Sequence, residues 1–501
     1  MKSAPQRPQA RERSVRSALV PIVLIAGLVS GCSLAPPYRQ PALPIAPSYP
    51  VDENAESHAP SNVAWRDYFG DPRLCAYIAA ALANNRDLAA AVARIEEAHA
   101  NFRISNSERL PEFDLGGSGA RSRTPTSVLD SQAGASSGAS GSETGITTNL
   151  YGAQVGVTSF EVDFWGRVYN LSEAQRRQYL ASIDGADAFR LVLISDVAST
   201  YLSIVAGEEG IDLAQQTLDA RLEGHDIAKL RLDAGVTSSV DYDQSALLVW
   251  QAKSQLAELQ RATAQARNAL TVLVGGPIAT TLPAGRSIAD QNLLGPIDAG
   301  LSSDLLTNRP DIQQAEQNLR AANANIGAAR AAFFPMITLT GNYGYESPAL
   351  SSLFKNASQA WLFGGSVDLP IFDWGQRSAR LDLAKAQQQE LIANYQKTVQ
   401  TAFREVSDAL VARRRYEEEI LANEDTVKSN TTLADATELR YQNGVSSYLE
   451  VLDARRNLFS AQQALIQLKS NALQNSVTLY IALGGDRETL VHDRQLAILS
   501  Q

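Results

Sequence analysis

The chain has 501 residues, of which 45% are hydrophobic and 20% charged, a globular balance that excludes a wholly disordered protein. A mean hydropathy of −0.16 excludes a polytopic helical membrane protein, and two cysteines exclude a disulfide scaffold. With 44 Lys and Arg against 54 Asp and Glu the net charge is −10, which excludes nucleic acid as the main partner because phosphate binding needs a basic surface.

Residues 1–31 read as a secretory signal peptide. Lys2, Arg7, Arg11, Arg13 and Arg16 form a basic stretch, and Ala18 to Val29 an apolar run too short to span a bilayer. Leu28-Val29-Ser30-Gly31-Cys32 resembles the lipobox of bacterial lipoproteins, which makes Cys32 the lipidated first residue of an extended N-terminal segment, 32–66. Its acyl chains would hold the protein to a bilayer at roughly 0.8 kcal/mol per buried methylene. Ser33 stands where an aspartate in such lipoproteins directs retention at the inner membrane, so the outer membrane is the expected address. Cys75 is left without a disulfide partner and reads as a small apolar filler.

Aligning the chain with itself shows two copies of one plan. Asn85-Arg86-Asp87-Leu88 and Pro111 match Arg309-Pro310-Asp311-Ile312 and Pro335 at a separation of 224 residues. Trp165-Gly166, Gly235-Val236 and Gly275-Gly276 match Trp374-Gly375, Gly444-Val445 and Gly484-Gly485 at 209. The change of offset places an insertion in the first copy, between Pro111 and Trp165, where the tract Ser131 to Ser142 reads as a Ser/Gly loop. The first copy spans 67–276, with a helix, a strand pair at 112–163, a long helix at 167–234 and a helix at 240–274. A linker at 277–297 leads to the second copy, 298–485, with a helix, a strand pair at 336–371, a long helix at 376–443 and a helix at 447–483. A tail follows at 486–501. No proline occurs after Pro370 and no glycine between Gly375 and Gly444, so Gln376 to Asn443 is one uninterrupted helix of ~100 Å. Its counterpart lacks proline but carries Gly185, Gly207, Gly210 and Gly224. The apolar stripes, as in Leu439, Leu449, Leu452, Leu458 and Leu465, suit antiparallel coiled helices rather than a thick core.

In the strand pairs the period changes to two. Ile337, Leu339, Tyr343 and Tyr345 alternate with Thr338, Thr340, Asn342 and Gly344, and Trp361, Phe363, Val367 and Leu369 with Leu362, Gly364, Ser366 and Asp368. Phe113 to Ala120 and Tyr151 to Asp163 follow suit, except that Val157 to Phe160 breaks the alternation, as a bulge would. One apolar and one small or polar face is the pattern of transmembrane barrel strands, and Trp165 and Trp374, where strand gives way to helix, fit interfacial aromatics. Four strands cannot close a barrel, and an open edge in lipid costs several kcal/mol per backbone group. Two chains would supply eight strands and three would supply twelve, of which only the larger leaves a lumen.

Arg440-Tyr441-Gln442-Asn443-Gly444-Val445-Ser446-Ser447, the run Tyr448-Leu449-Glu450-Val451-Leu452-Asp453-Ala454-Arg455-Arg456, and Ile371-Phe372-Asp373-Trp374-Gly375 carry a resemblance to a known family. In this order, on a twofold repeat behind a lipobox, they resemble the outer membrane factors, the TolC-like efflux channels, in the lipoprotein branch that serves resistance-nodulation-division pumps. The resemblance implies a mainly α fold with a small β part. Long antiparallel helices would form a periplasmic α-barrel, and four strands per chain a homotrimeric twelve-stranded transmembrane β-barrel. The implied partners are a periplasmic membrane-fusion adaptor, an inner-membrane pump and the lipid bilayer, with no cofactor.

Leu449 and Asp453 lie four apart on a helix that starts just after the Gly444 turn, so they share a face. Three chains would present three copies of each around one axis, an apolar ring and a carboxylate ring. By resemblance these are the periplasmic constriction, with Arg440, Tyr441 and Arg456 as polar links of the closed state. The tips Gly235, Val236, Thr237, Gly444, Val445 and Ser446 are then candidate adaptor contacts. The 209 offset sets Val240 and Gln244 against Leu449 and Asp453, so the two copies would not build the gate evenly.

The chemistry of an enzyme is missing from the pattern. His58, His99, His225 and His492 have no metal-ligand spacing, there is no Walker lysine motif, and Gly134-Ala135-Ser136-Ser137-Gly138 lies in the Ser/Gly tract rather than on a strand-turn-helix. The expected function is a passive exit duct for drugs and other small toxic compounds. The alternatives are heavy-metal efflux, type I secretion, or a non-conducting lipid-anchored coiled-coil protein.

Overall fold

A computed structural model describes residues 33–47, 49, 63–125, 145–277, 282–291, 293 and 309–485. The signal peptide, Cys32, the Ser131 to Ser142 tract, the 486–501 tail and part of the 277–297 linker lie outside the described residues. The fold is mainly α with a small β part. The first copy comprises α1 (Trp65–Tyr68), α2 (Pro72–Asn84), α3 (Arg86–Ser107), β1 (Asp114–Thr124), β2 (Ile146–Glu161), α4 (Arg167–Asp233) and α5 (Ser239–Val274). The second comprises α6 (Pro310–Ala331), β3 (Met336–Ser347), β4 (Gln359–Asp368), α7 (Gln376–Gln442) and α8 (Tyr448–Ala482), with short 3-10 turns between its strands.

Where one helix was expected before β1, the chain forms α2 and α3, because Asn85 leaves the helical region at ψ 130°. Its side chain accepts from Leu88 N at 2.8 Å, capping α3, and donates to Leu273 O at 2.9 Å. Arg309, its counterpart in the second copy, donates to Ala482 O at 3.2 Å, and 482 lies 209 residues beyond 273. The repeat thus preserves a hydrogen bond while changing both side chains. In α4 the glycines do not break the helix. A Cβ on Gly207 would lie 2.3 Å from Thr263 Oγ1 of α5, and one on Gly224 would lie 2.4 Å from Tyr448 Oη of α8. Close approach of a neighbour, not flexibility, explains glycine there, and packing overrides its poor helix propensity.

The four strands form one antiparallel sheet in the order β1-β2-β3-β4. Paired residues share a face, so the register sorts the side chains. Leu115, Val155, Tyr343 and Trp361 form one cross-strand row, and Val157, Gly341 and Phe363 the next. Gly116, Gln154, Gly344 and Ala360 form a row on the opposite face. The register shifts between Val157 and Phe160, after which Phe160 pairs with Leu339. That bulge keeps Phe160 on the apolar face, which is why alternation fails there in the sequence. β1 runs on to Thr124 and β2 starts at Ile146, longer than the patterning indicated, and β4 ends at Asp368, so Leu369 and Ile371 fall outside it.

Close strand contact constrains the small face. A Cβ on Gly344 would sit 2.2 Å from Ala153 O and 2.6 Å from Gln154 Cα. Gly344→Ala is therefore expected to cost about 1–3 kcal/mol by forcing β2 from β3, read as loss of the folded, heat-modifiable form on semi-native gels.

Two compact units emerge, and each takes segments from both copies. One contains the described residues within 33–40, 98–179 and 318–391, hence the sheet, and in it Ala174, Ala321 and Ala324 form a small buried contact. The segment after Cys32 lies along this unit: Ser33 Oγ donates to Asn170 Oδ1 at 2.8 Å, Asn323 Nδ2 donates to Pro36 O at 2.8 Å, and Arg320 covers the Tyr38 ring. The other unit contains the described residues within 41–97, 180–317 and 392–485. Its core joins Leu74 and Ile78 of α2, Val197 and Leu202 of α4, Leu270 of α5, Tyr395 and Val399 of α7, and Tyr480 of α8. Tyr480 stacks on Tyr68 at 4.3 Å. α4 is long and apolar enough to cross a membrane, but half of its most apolar stretch is buried in protein.

Candidate functional site

The two helix-helix turns are built alike. Gly235 N donates to Leu232 O and Val236 N to Arg231 O, while Gly444 N donates to Tyr441 O and Val445 N to Arg440 O, each bond recurring 209 residues later. These are Schellman closures, and they require the left-handed φ of 70° at Gly235 and 72° at Gly444. Ser238 then caps α5 by accepting from Asp241 N, and Ser447 caps α8 by accepting from Glu450 N in a capping box. Val236 and Val445 are both exposed at the turns. Thr237 Oγ1 donates to Asp241 Oδ2 at 2.6 Å, and that bond holds the Asp241 carboxyl below the usual range.

Beyond the second turn, Leu449 is 53% exposed. Asp453 pairs with Arg456 of the same helix at 2.9 Å. Tyr441 is held from two sides: its ring lies 5.1 Å from that of Tyr448, and Arg231 covers it at 5.3 Å and donates to its hydroxyl. Arg455 reaches back to Glu438 at 2.8 Å. Burial pushes the Tyr448 phenol up, and its hydroxyl lies close to Gly224 of α4. Of the expected polar links, Tyr441 joins α7 to α4, Arg456 acts within α8, and Arg440 supplies the carbonyl that closes the turn. Sequence reasoning missed Arg231 and Glu438, and quoted Tyr448 and Arg455 within the motif run without giving them a role. The 209 offset could have found Arg231, since it is the counterpart of Arg440.

The two tryptophans of the strand-helix junctions differ. Trp165 is half-buried, stacked on Phe334 at 4.6 Å, and donates Nε1 to Pro335 O at 2.9 Å. Trp374 is 89% exposed and has a positive φ of 56°. Only the second presents its whole ring outward from the single chain.

The profile of the outer membrane efflux protein family matches residues 77–276 and 301–485, which takes in both copies of the repeat. The chain belongs to the outer membrane efflux protein family. This efflux-family chain is 40% identical over 474 residues to the antibiotic efflux pump outer membrane protein ArpC of Pseudomonas putida, covering 93% of this chain and 95% of that one. It is 36% identical over 466 residues to the cation efflux system protein CusC of Escherichia coli, covering 92% of this chain and 98% of CusC. A crystal structure of the open state of the MtrE outer membrane channel of Neisseria gonorrhoeae superposes with a TM-score of 0.81 at 36% identity, covering 91% of this chain and 98% of that one. As a family member the chain is an efflux channel protein of the outer membrane.

Proposed function

We propose that three copies of the chain form the exit duct of a tripartite efflux system, their strands completing a twelve-stranded barrel and their long helices a periplasmic tunnel. The observation that carries this reading is the sheet: four strands with two open edges and a row of exposed apolar side chains, Leu115, Val155, Tyr343 and Trp361. In lipid those edges need strands from other copies. Trp165 and Trp374 would mark the membrane interface, and Cys32, freed by removal of 1–31, would carry the acyl anchor. A periplasmic adaptor would meet Gly235, Val236, Thr237, Gly444, Val445 and Ser446, and an inner-membrane pump of the resistance-nodulation-division type would supply energy. The cargo is drugs and other small toxic compounds. The resemblance to ArpC supports that choice, while the resemblance to CusC keeps metal ions as the second reading.

In this proposal Leu449 and Asp453 close the periplasmic end, with Arg440, Tyr441 and Arg456 holding it shut. Asp453→Ala also removes the partner of Arg456 and is expected to raise closed-state conductance in planar bilayers severalfold. An unchanged current would remove Asp453 from the gate, and a purified oligomer that never conducts, whatever the gate mutation, would refute the duct. Cys32→Ser is expected to leave the mature protein without acyl mass in intact-protein mass spectrometry.

A further inference from the structure

The register of the sheet sorts charge as well as hydrophobicity. Its charged residues are Asp114, Arg121, Arg123, Glu161, Glu346 and Asp368. Asp114 pairs with Gly156, Glu161 with Thr338, Glu346 with Gly152 and Asp368 with Met336, which places every carboxylate on the small, polar face that holds Gly344. Arg121 and Arg123 follow Leu115 along β1 by even numbers of residues and so share the apolar face with it. Among the described residues, that face of the sheet holds both of its cations and none of its anions.

The apolar face is also banded along the strands. Nearest the helices it shows Phe160 against Leu339, next the row with Tyr343 and Trp361, and then Tyr151 against Gly119. The arginines lie beyond, Arg121 opposite Asn149 and Arg123 opposite Thr147. Apolar side chains, aromatic rings and cations thus succeed one another as hydrocarbon, interface and headgroups do in a bilayer. Arg121 and Arg123 stand seven and nine residues past Asp114. That is ~23 and ~30 Å along a strand, or ~18 and ~23 Å of depth at a barrel tilt of ~40°. An apolar band is ~25 Å tall, so both approach its far rim, where an arginine on the lipid side is no longer costly. Both are exposed, and neither meets a carboxylate among the described residues.

We propose that Arg121 and Arg123 bind the phosphate groups of a phosphorylated glycolipid in the outer leaflet. Two guanidiniums ~7 Å apart on one strand offer two bidentate phosphate donors, and the rings nearer the helices lie at the depth of the acyl chains. The inference rests on the duct reading, in which the strand ends away from the helices face outward.

The test uses the full-length channel in detergent, with lipid A bisphosphate and its dephosphorylated form as probes and bound lipid counted by native mass spectrometry. The bisphosphate should bind at least ~10-fold tighter. The double variant Arg121→Gln, Arg123→Gln should erase that preference, whereas Arg121→Lys, Arg123→Lys, which keeps the charges, should retain part of it. Both variants should keep the trimer mass, because the replaced side chains are exposed. Equal affinity of the wild type for the two probes overturns the proposal, as does a preference that survives the double glutamine variant. The same spectra weigh the oligomer. A trimer indifferent to the phosphates overturns this inference alone, whereas a monomer overturns the duct reading and this inference with it.

Discussion

Asp71→Ala is expected to destabilise the channel by about 3–5 kcal/mol. Asp71 is buried and accepts five hydrogen bonds. Oδ1 caps α2 through Arg73 N at 2.8 Å and Leu74 N at 3.3 Å, and Oδ2 receives Tyr201 Oη at 2.8 Å, Gln291 Nε2 at 2.9 Å and Arg286 N at 3.0 Å. Alanine would strand Tyr201 and Gln291 inside protein, where an unmet donor costs more than the bond was worth. Burial pushes the Asp71 carboxyl up, but the bonds from Arg286, Gln291, Tyr201 and Arg73 outweigh it and hold it below the usual carboxylate range. A lowered folded-state value means that this stabilisation is complete above the unfolded value of about 3.9 and is lost as pH falls through the folded one. Thermal melts of the wild type should therefore fall in acid below about pH 4. Those of Asp71→Asn should start lower at neutral pH and show a shallower acid limb. Equal melting temperatures at pH 7 would show that the carboxylate is dispensable.

Gly275→Ala is expected to be nearly as damaging, and Gly235→Ala mild, although both glycines are left-handed with φ of 84° and 70°. The conformational penalty is shared, about 1 kcal/mol. The surroundings differ. A Cβ on Gly275 would meet Asn84 O at 2.2 Å and Asn85 N at 2.9 Å, backbone atoms that cannot step aside, whereas on Gly235 it would meet nothing within 4 Å. Overpacking against backbone adds ~1–3 kcal/mol at the first site and nothing at the second. Denaturant midpoints of the two variants should separate accordingly, and similar midpoints would show that the contact of α5 with the α2–α3 junction is soft.

The course of the chain was legible wherever a local rule decided the outcome. The absence of Gly and Pro between 376 and 442 left α7 no place to stop, and the failure of alternation at Val157 located the bulge. Legibility failed where a partner from far along the chain decided. Gly207 and Gly224 look like weak points in a helix until Thr263 and Tyr448 are seen against them. Asn85 looks like an ordinary helical residue until its amide is found bonded to Leu273. At the candidate gate, Tyr441 was named through the family resemblance alone, and its contact with Arg231, 210 residues away in sequence, is seen in the fold. Trp165 and Trp374 occupy equivalent places in the pattern, yet Phe334 stacks on one alone, so sequence equivalence did not carry over to exposure.

The shared core sets a condition on ancestry and engineering. Leu74, Val197 and Leu270 come from the first half of the gene, and Tyr395, Val399 and Tyr480 from the second, yet they bury one another. A polypeptide encoded by either half would leave those surfaces wet. A single-copy ancestor could dry them only by pairing with a sibling, so fusion of the two genes would have made a dimer permanent, and splitting the modern gene between the halves should yield fragments that are folded only when co-expressed.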